Sequence, residues 1–203
     1  MSLRHSYTVI APLYDALLET AGTGVRAASL GQLPQQGDLS ILISGIGSGL
    51  DLPYLPPCHR YTGLDLTAAM LSRAKSRTGR LRLNLIQGNS MSLPFADEYF
   101  DHVVLHLILA IVPDATTCLQ ETARVLKLGG SVLILDKFLR PGETAWIRRT
   151  LNLLSQHIVT RLDVVFEEAL AGVPQLKLKA DVPVLAGGWF RSIRLVKYEK
   201  TEQ

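Results

Sequence analysis

An apolar stretch that runs directly into three glycines is the feature that most limits how this chain can fold. It reads Ile41-Leu42-Ile43-Ser44-Gly45-Ile46-Gly47-Ser48-Gly49-Leu50, with the glycines spaced two apart. Glycine lets the backbone turn sharply and come close to a ligand that side chains would keep away. We therefore predict a strand over residues 40–45 whose glycine-rich end forms one side of a pocket of the kind that holds a nucleotide.

Strand-like and helical segments alternate after this point. The predicted strands are 40–45, 61–66, 81–87, 101–110 and 131–138, and the predicted helices are 67–78, capped by Thr67, and 114–126. This alternation predicts an α/β fold, a doubly wound and mostly parallel sheet with right-handed crossovers. Two further strand-like runs between Leu176 and Lys200, separated by Gly187-Gly188, predict an antiparallel hairpin at the sheet edge, which gives seven strands in all.

The length of 203 residues predicts a single domain with three parts. These are a helical lead-in over 1–36 that could act as a lid, a ligand-binding core over 37–138, and helices with a closing hairpin over 139–203. The composition, 47% hydrophobic and 19% charged, is that of a folded globular protein.

Charge, cysteine content and hydropathy exclude several classes of protein. A net charge of +3 is too small for the basic surface that duplex nucleic acid requires, so we predict no nucleic-acid partner. Cys58 and Cys118 lie too far apart to indicate a zinc site or a disulfide framework. The N-terminus has no signal-peptide core, and the longest apolar run, 103–112, is too short to span a bilayer, so we expect a cytoplasmic protein.

The glycine spacing is G-x-G-x-G, not the G-x-G-x-x-G of dinucleotide folds, and Asp65 ends the next predicted strand. Three later segments follow in order, Gly88–Phe95, Tyr99–Val104 and Arg124–Gly130. Together these features resemble the class I S-adenosylmethionine-dependent methyltransferases of the ubiquinone-biosynthesis type. The resemblance covers roughly residues 35–138 and implies a Rossmann-like methyltransferase fold.

The resemblance also implies a cofactor, S-adenosyl-L-methionine, with S-adenosyl-L-homocysteine as product. It places Asp65 on both ribose hydroxyls and His106 beside the sulfonium, and it assigns the cofactor pocket to Gly45, Gly47, Gly49, Asp65, Leu66, Met70, Asn89, Ser90, Met91 and His106. Within this set, Asn89, Ser90 and Met91 lie along the adenine, and Leu66 and Met70 flank it. One position departs from the family, because Ile43 stands where an acid usually helps to hold the methionine end; backbone carbonyls around Gly45 are a possible substitute.

Methyl transfer is an in-line displacement in which the protein chiefly aligns the acceptor and excludes water, so no metal is expected. The lead-in helix carries Tyr7 and Tyr14 on one face, seven residues apart. In related enzymes a tyrosine in such a lid approaches the transferred methyl. These tyrosines are candidate catalytic residues, with packing of the helix as the alternative. His106 is a candidate general base, with a hydrogen-bonded core histidine as the alternative.

The acceptor is suggested by the segments Leu105–Asp114 and Asp181–Arg191, which look most like the small bacterial phospholipid N-methyltransferases. A helix predicted over 143–162 combines an apolar stripe with arginines, as a helix at a membrane surface does, although an ordinary helix packed on a sheet has the same pattern. We therefore expect a small or lipid-like acceptor, with a phospholipid amine headgroup first and peripheral contact with the inner membrane surface. The alternatives are a quinone carbon, a small thiol, or a protein that binds the cofactor without catalysis.

Overall fold

A computed structural model describes residues 22–139, 164–185 and 190–199. Its strands are β1 Ser40–Ser44, β2 Arg60–Asp65, β3 Arg82–Gln87, β4 Phe100–His106, β5 Leu126–Lys137, β6 Leu176–Leu185 and β7 Phe190–Lys197. They form one sheet in the order β3-β2-β1-β4-β5-β7-β6. The first five strands are parallel, and β7 runs antiparallel to both of its neighbours. The predicted seven-stranded, mostly parallel sheet is confirmed.

The helices described are α1 over residues 22–30, α2 Ala68–Ser76, α3 Ala115–Val125 and α4 Phe166–Ala171, and a 3-10 turn covers Leu52–Tyr54. At α3 the Asp114 side chain caps the helix by accepting from the amides of Thr116 and Thr117. The cap predicted for α2 is only half right. Thr67 occupies the N-cap position, but its hydroxyl is turned toward Asp65, to whose carboxylate it donates, and it accepts from no amide of the helix.

The centre of the sheet is covered on both faces, as expected for a parallel sheet whose crossovers carry helices. Successive residues of β4 alternate between the two faces. Val104 packs with Leu30 of α1 in one cluster of buried side chains, while Val103 and Leu105 belong to a second cluster that includes Leu119 of α3. The end of β4 is therefore fixed from both sides.

Two predicted boundaries and the strict alternation of strand and helix were wrong. β4 ends at His106 and not at Ala110, because Leu107 turns the chain with a φ of +58°. β5 begins at Leu126, five residues earlier than predicted, since the segment that includes Gly129 and Gly130 is extended. The crossover between β3 and β4, residues 88–99, contains no helix, so strand and helix do not alternate there.

Residues 1–21 of the predicted lead-in, which include Tyr7 and Tyr14, lie outside the described residues, and so does the helix predicted over 143–162. The rest of the lead-in consists of α1 and, over 31–36, turns where helix was expected. None of the helices within the described ranges has the length and apolar character needed to cross a bilayer.

Candidate cofactor site

The glycine loop leaves β1 in a conformation that ordinary residues avoid. Gly45, Gly47 and Gly49 all have positive φ, at 77°, 55° and 83°. The loop is tied to β2 because the amides of Gly45 and Ile46 both donate to the Leu64 carbonyl, at 2.8 and 2.9 Å. The main chain at this point is thus held at the carboxyl edge of the sheet, where ligands of such folds bind.

The surroundings of two of these glycines differ. A Cβ added at Gly45 would lie 2.7 Å from Cδ1 of Ile108, so this glycine is needed for close packing. A Cβ added at Gly47 would meet nothing within 4 Å. The loop is therefore packed at Gly45 and open at Gly47, which gives a ligand access to bare backbone.

Asp65 ends β2 beside this opening, as predicted. Its Oδ2 accepts from the amide of Gly47 at 2.9 Å. Its Oδ1 accepts from the amide and the hydroxyl of Thr67, at 2.9 and 3.1 Å. Because each carboxylate oxygen can accept two hydrogen bonds, Oδ2 can take a further donor such as a ribose hydroxyl. The carboxylate is thus held in place before a ligand arrives.

The residues predicted around an adenine occupy different settings. Leu66 follows Asp65 with two thirds of its surface exposed, and Met70 is half-buried on α2. Ser90 is buried and accepts from the Ser44 hydroxyl at 2.8 Å, which ties the loop after β3 to the end of β1. Asn89 is exposed, and its side chain accepts from the Met91 amide at 2.9 Å.

These residues sit where strands β1, β2 and β3 end side by side. Asp65 pairs with Gln87, two residues before Asn89, so the exposed Leu66 and the loop after β3 stand at one edge of the sheet. An exposed apolar side chain next to a fixed carboxylate suits a nucleoside, which needs both an apolar surface and an acceptor for hydroxyls. The role of each of these residues toward a ligand stays a prediction.

His106 lies at the end of β4 on the face covered by α1. Its Nδ1 lies 3.0 Å from Asp51 Oδ1 and donates to it, because a carboxylate only accepts, and its Nε2 is hydrogen-bonded to the Ser29 hydroxyl at 3.0 Å. The His106 side chain is almost fully buried. Both ring nitrogens have partners, and this arrangement fits the alternative of a hydrogen-bonded core histidine better than that of a general base.

The sequence order gave no sign of a Ser-His-Asp arrangement, yet the fold joins Ser29, His106 and Asp51 in one hydrogen-bonded chain. Ser29 is only 1% exposed and lies within α1, so its hydroxyl has no access to a substrate as a nucleophile. The chain of contacts instead connects α1, the glycine loop and β4.

Asp51 also pairs with Arg26 of α1, whose Nη1 lies 2.5 Å from Asp51 Oδ1. Burial alone would raise the pKa of Asp51, but His106 and Arg26 together lower that pKa to about 2. Asp51 is therefore a buried, ionised carboxylate next to the glycine loop. Neither Asp51 nor Arg26 was among the predicted site residues. The sequence signal for Asp51 is an acid two positions after Gly49 within an otherwise apolar segment.

The segment that follows β4 is held by a second buried acid, Asp136 of β5. The Asp136 carboxylate accepts from the amide of Ala110 at 3.1 Å and from the amide of Lys137 at 2.8 Å. Burial raises the pKa of Asp136 to about 6, although these hydrogen bonds act in the opposite direction. Asp136 is thus a buried carboxyl group and not a solvated charge at a strand end.

This second acid matters for the pocket because of what it supports. The segment after β4 carries Ile108, which packs on Gly45, and its first amide, that of Leu107, donates to the Leu135 carbonyl at 2.8 Å. Asp136 fixes the same segment at Ala110. The wall opposite the glycine loop is therefore anchored at two points.

Comparisons with known proteins agree with this geometry. Residues 42–134 match the methyltransferase domain family. Over 159 residues the chain is 31% identical to the phosphatidylethanolamine N-methyltransferase of Cereibacter sphaeroides, covering 76% of this chain and 78% of that protein. The chain belongs to the class I S-adenosylmethionine-dependent methyltransferases.

Two further comparisons extend this result. The methyltransferase is 47% identical to the demethylmenaquinone methyltransferase of Bacillus licheniformis over 75 residues, which is 36% of this chain and only 32% of that protein. It superposes on the crystal structure of the YcgJ protein from Bacillus subtilis with a TM-score of 0.69 at 18% identity, covering 87% of this chain and 98% of that one. The second likeness establishes the fold alone.

S-adenosylmethionine is accordingly the cofactor of this methyltransferase, and the described residues fit it. Gly47 offers open backbone, Asp65 offers a fixed acceptor, and Leu66 offers an exposed apolar surface. When bound, the cofactor supplies an activated methyl group on a sulfonium, and the protein supplies position and a dry surrounding.

Proposed function

We propose that this methyltransferase transfers the methyl group to the amine of a phospholipid headgroup of the phosphatidylethanolamine type. The observation that carries the proposal is the extent of the similarity to the phosphatidylethanolamine N-methyltransferase, which covers 76% of this chain. That share of 203 residues is about 154, whereas the predicted cofactor core 37–138 has 102. The similarity therefore reaches about 50 residues beyond the core, into parts that would contact an acceptor.

The state of His106 supports an amine acceptor over a carbon acceptor. A neutral amine attacks with its own lone pair and needs only to lose a proton, which water can accept before the reaction. A quinone carbon needs a base in the site to remove its proton during the reaction. His106, the base predicted from the sequence, already uses Nδ1 for Asp51 and Nε2 for Ser29.

The test is a methyl-transfer assay with isotopically labelled S-adenosylmethionine and vesicles of phosphatidylcholine that contain phosphatidylethanolamine. We expect label in monomethylated and dimethylated phosphatidylethanolamine. The control protein is Asp65→Ala, which lacks the predicted ribose acceptor. Transfer to demethylmenaquinone or to a small thiol, with none to phosphatidylethanolamine, would refute the proposal.

The same vesicles test contact with the membrane surface. The predicted helix 143–162, which lies outside the described residues, contains Arg148 and Arg149 beside apolar residues. We expect the protein to sediment with anionic vesicles and the Arg148→Glu/Arg149→Glu variant to sediment less, because cations near a surface attract anionic lipid. A protein that stays in solution with vesicles of every composition would contradict a membrane-bound acceptor.

A second candidate is methylation of a quinone carbon, which the 47% identity to a demethylmenaquinone methyltransferase favours. The chain spans about a third of the length of that relative, so the match lies within the size of the cofactor core. His106→Gln separates the two candidates. Loss of transfer to demethylmenaquinone in a variant that still binds S-adenosylhomocysteine would favour this second candidate.

A further inference from the structure

Position 43, where the family usually has the acid that helps to hold the methionine end of the cofactor, is occupied by a buried isoleucine in this protein. Ile43, two residues before Gly45, is 1% exposed and packs in the cluster of buried side chains that contains Leu30 and Val104. A carboxylate at this position would be surrounded by apolar side chains. The cofactor's α-ammonium group therefore needs another partner.

The Asp51 carboxylate lies on the same face of the sheet as Ile43, but nearer to the carboxyl ends of the strands. Ile43 pairs with Val104 across β1 and β4, so His106, two residues after Val104, comes level with Gly45. Residues two apart on a strand share a face. Because His106 donates to Asp51, the Asp51 carboxylate lies on the face of Ile43 but next to the glycine loop, at the carboxyl edge of the sheet.

We propose that Asp51 provides the carboxylate that binds the α-ammonium group of S-adenosylmethionine, in place of the missing acid at position 43. The acid has moved from the strand before the glycines to the turn after them. The proposal concerns cofactor binding only and does not depend on which acceptor is methylated.

Three observations make Asp51 suited to this role. The contacts from Arg26 and His106 both go to Oδ1, so neither of them uses Oδ2. The pKa of Asp51, lowered to about 2, keeps the group charged at every pH at which the enzyme would work. Its side chain is only 6% exposed, so a contact with an ammonium group meets little competition from water.

Arg26 explains why such a buried acid can exist before the cofactor binds. An unpaired buried carboxylate would be costly, and the guanidinium at 2.5 Å neutralises it. The methionine end of the cofactor is a zwitterion, with an ammonium and a carboxylate on one carbon. A neighbouring carboxylate and guanidinium match those two charges, so the ion pair can rearrange onto the cofactor without leaving either side chain unpaired.

The test compares two ligands that differ only in this part of the molecule. S-adenosylhomocysteine carries the amino-acid end, and 5′-methylthioadenosine lacks it. We expect Asp51→Asn to weaken S-adenosylhomocysteine by roughly 10- to 100-fold, the effect of losing one charge-assisted hydrogen bond, and to change 5′-methylthioadenosine by less than about threefold. Isothermal titration calorimetry measures both, and Asp97→Asn, an exposed carboxylate, is the matched control.

An equal loss for both ligands would mean that Asp51 only supports the fold, and it would overturn the proposal. If Asp51→Asn does not fold, the wild-type protein can still refute the proposal with two analogues of S-adenosylhomocysteine. An analogue without the α-amino group should bind roughly 10- to 100-fold more weakly than S-adenosylhomocysteine itself. Equal affinity for that analogue would also overturn the proposal, whereas an analogue without the carboxylate tests the contribution of Arg26. Failure of methyl transfer to phosphatidylethanolamine leaves these binding results unaffected.

Discussion

Alanine at Gly45 should mainly lower the stability of the protein and alanine at Gly47 should mainly weaken cofactor binding, although both glycines have positive φ. The left-handed conformation costs an ordinary residue about 1–2 kcal/mol, and this term is common to both variants. At Gly45 the new Cβ would also lie 2.7, 2.8 and 2.9 Å from three atoms of Ile108. One of the three atoms is the Ile108 Cβ, which a change of rotamer does not displace, so the backbone after β4 must move. Such overpacking costs a further 1–3 kcal/mol or so.

Gly45→Ala should therefore unfold at a lower temperature than Gly47→Ala by about 2–12 °C, at 2–4 °C per kcal/mol for a chain of this size. Gly47→Ala should instead lose affinity for S-adenosylhomocysteine by roughly tenfold or more, because its Cβ enters the open space that we assign to the cofactor. Thermal denaturation and calorimetry measure the two effects. Wild-type affinity in Gly47→Ala would show that the ligand does not pass over this glycine, and equal melting temperatures would show that the packing of Ile108 is not tight.

Three further predictions concern single side chains. Asp65→Asn should lower the affinity for S-adenosylhomocysteine roughly 10-fold in calorimetry, because it removes a charged acceptor. The control Asp38→Asn, at a half-exposed carboxylate on the other edge of the sheet, should leave the affinity unchanged, and equal effects of the two variants would contradict a ribose contact. Because burial raises the folded-state pKa of Asp136 to about 6 from 3.8, its protonated form stabilises the fold below pH 4, and this contribution is lost as the pH rises through 6. Urea denaturation should thus show the unfolding free energy of the wild type falling relative to Asp136→Asn between pH 4 and 6, and a constant difference would refute the assignment. Arg191→Met should cost about 1.5–3 kcal/mol in the same assay, since it removes a buried guanidinium from the partly exposed carboxylates of Asp181 and Glu167. Arg82→Met, which breaks a pair on the surface, should cost under about 1 kcal/mol, and equal losses would show that the burial of Arg191 does not strengthen its ion pairs.

The fold was readable from the sequence where local signals and tertiary structure agree. The apolar run before Gly45 and the acid at Asp65 both mark strand ends in a parallel sheet, and the structure puts them where they were expected. The end of β4 was misplaced because residues 107–110 are as apolar as the strand itself. Hydrophobicity does not distinguish a buried strand from the buried loop that follows it.

The contacts of Asp51 could not be predicted from the sequence, for a different reason. Its partners Arg26 and His106 lie 25 and 55 positions away, and only the packing of α1 onto the sheet brings them together. An arginine in a short helix normally predicts a solvated surface. The absence of an acid at position 43 was visible in the sequence. The proposed replacement by Asp51 was not, because it depends on the conformation of the turn after Gly49, which no local pattern encodes.

The position of β7 determines when this enzyme can become complete during synthesis. β7 is the last strand described, yet it separates β5 from β6 and pairs with both. Until residues 190–197 have left the ribosome, β5 has a free row of amides and carbonyls, and β6 has no strand to join. A nascent chain that already contains every cofactor-binding residue named above is therefore open along one side, and chaperones that recognise exposed strand edges should bind it there.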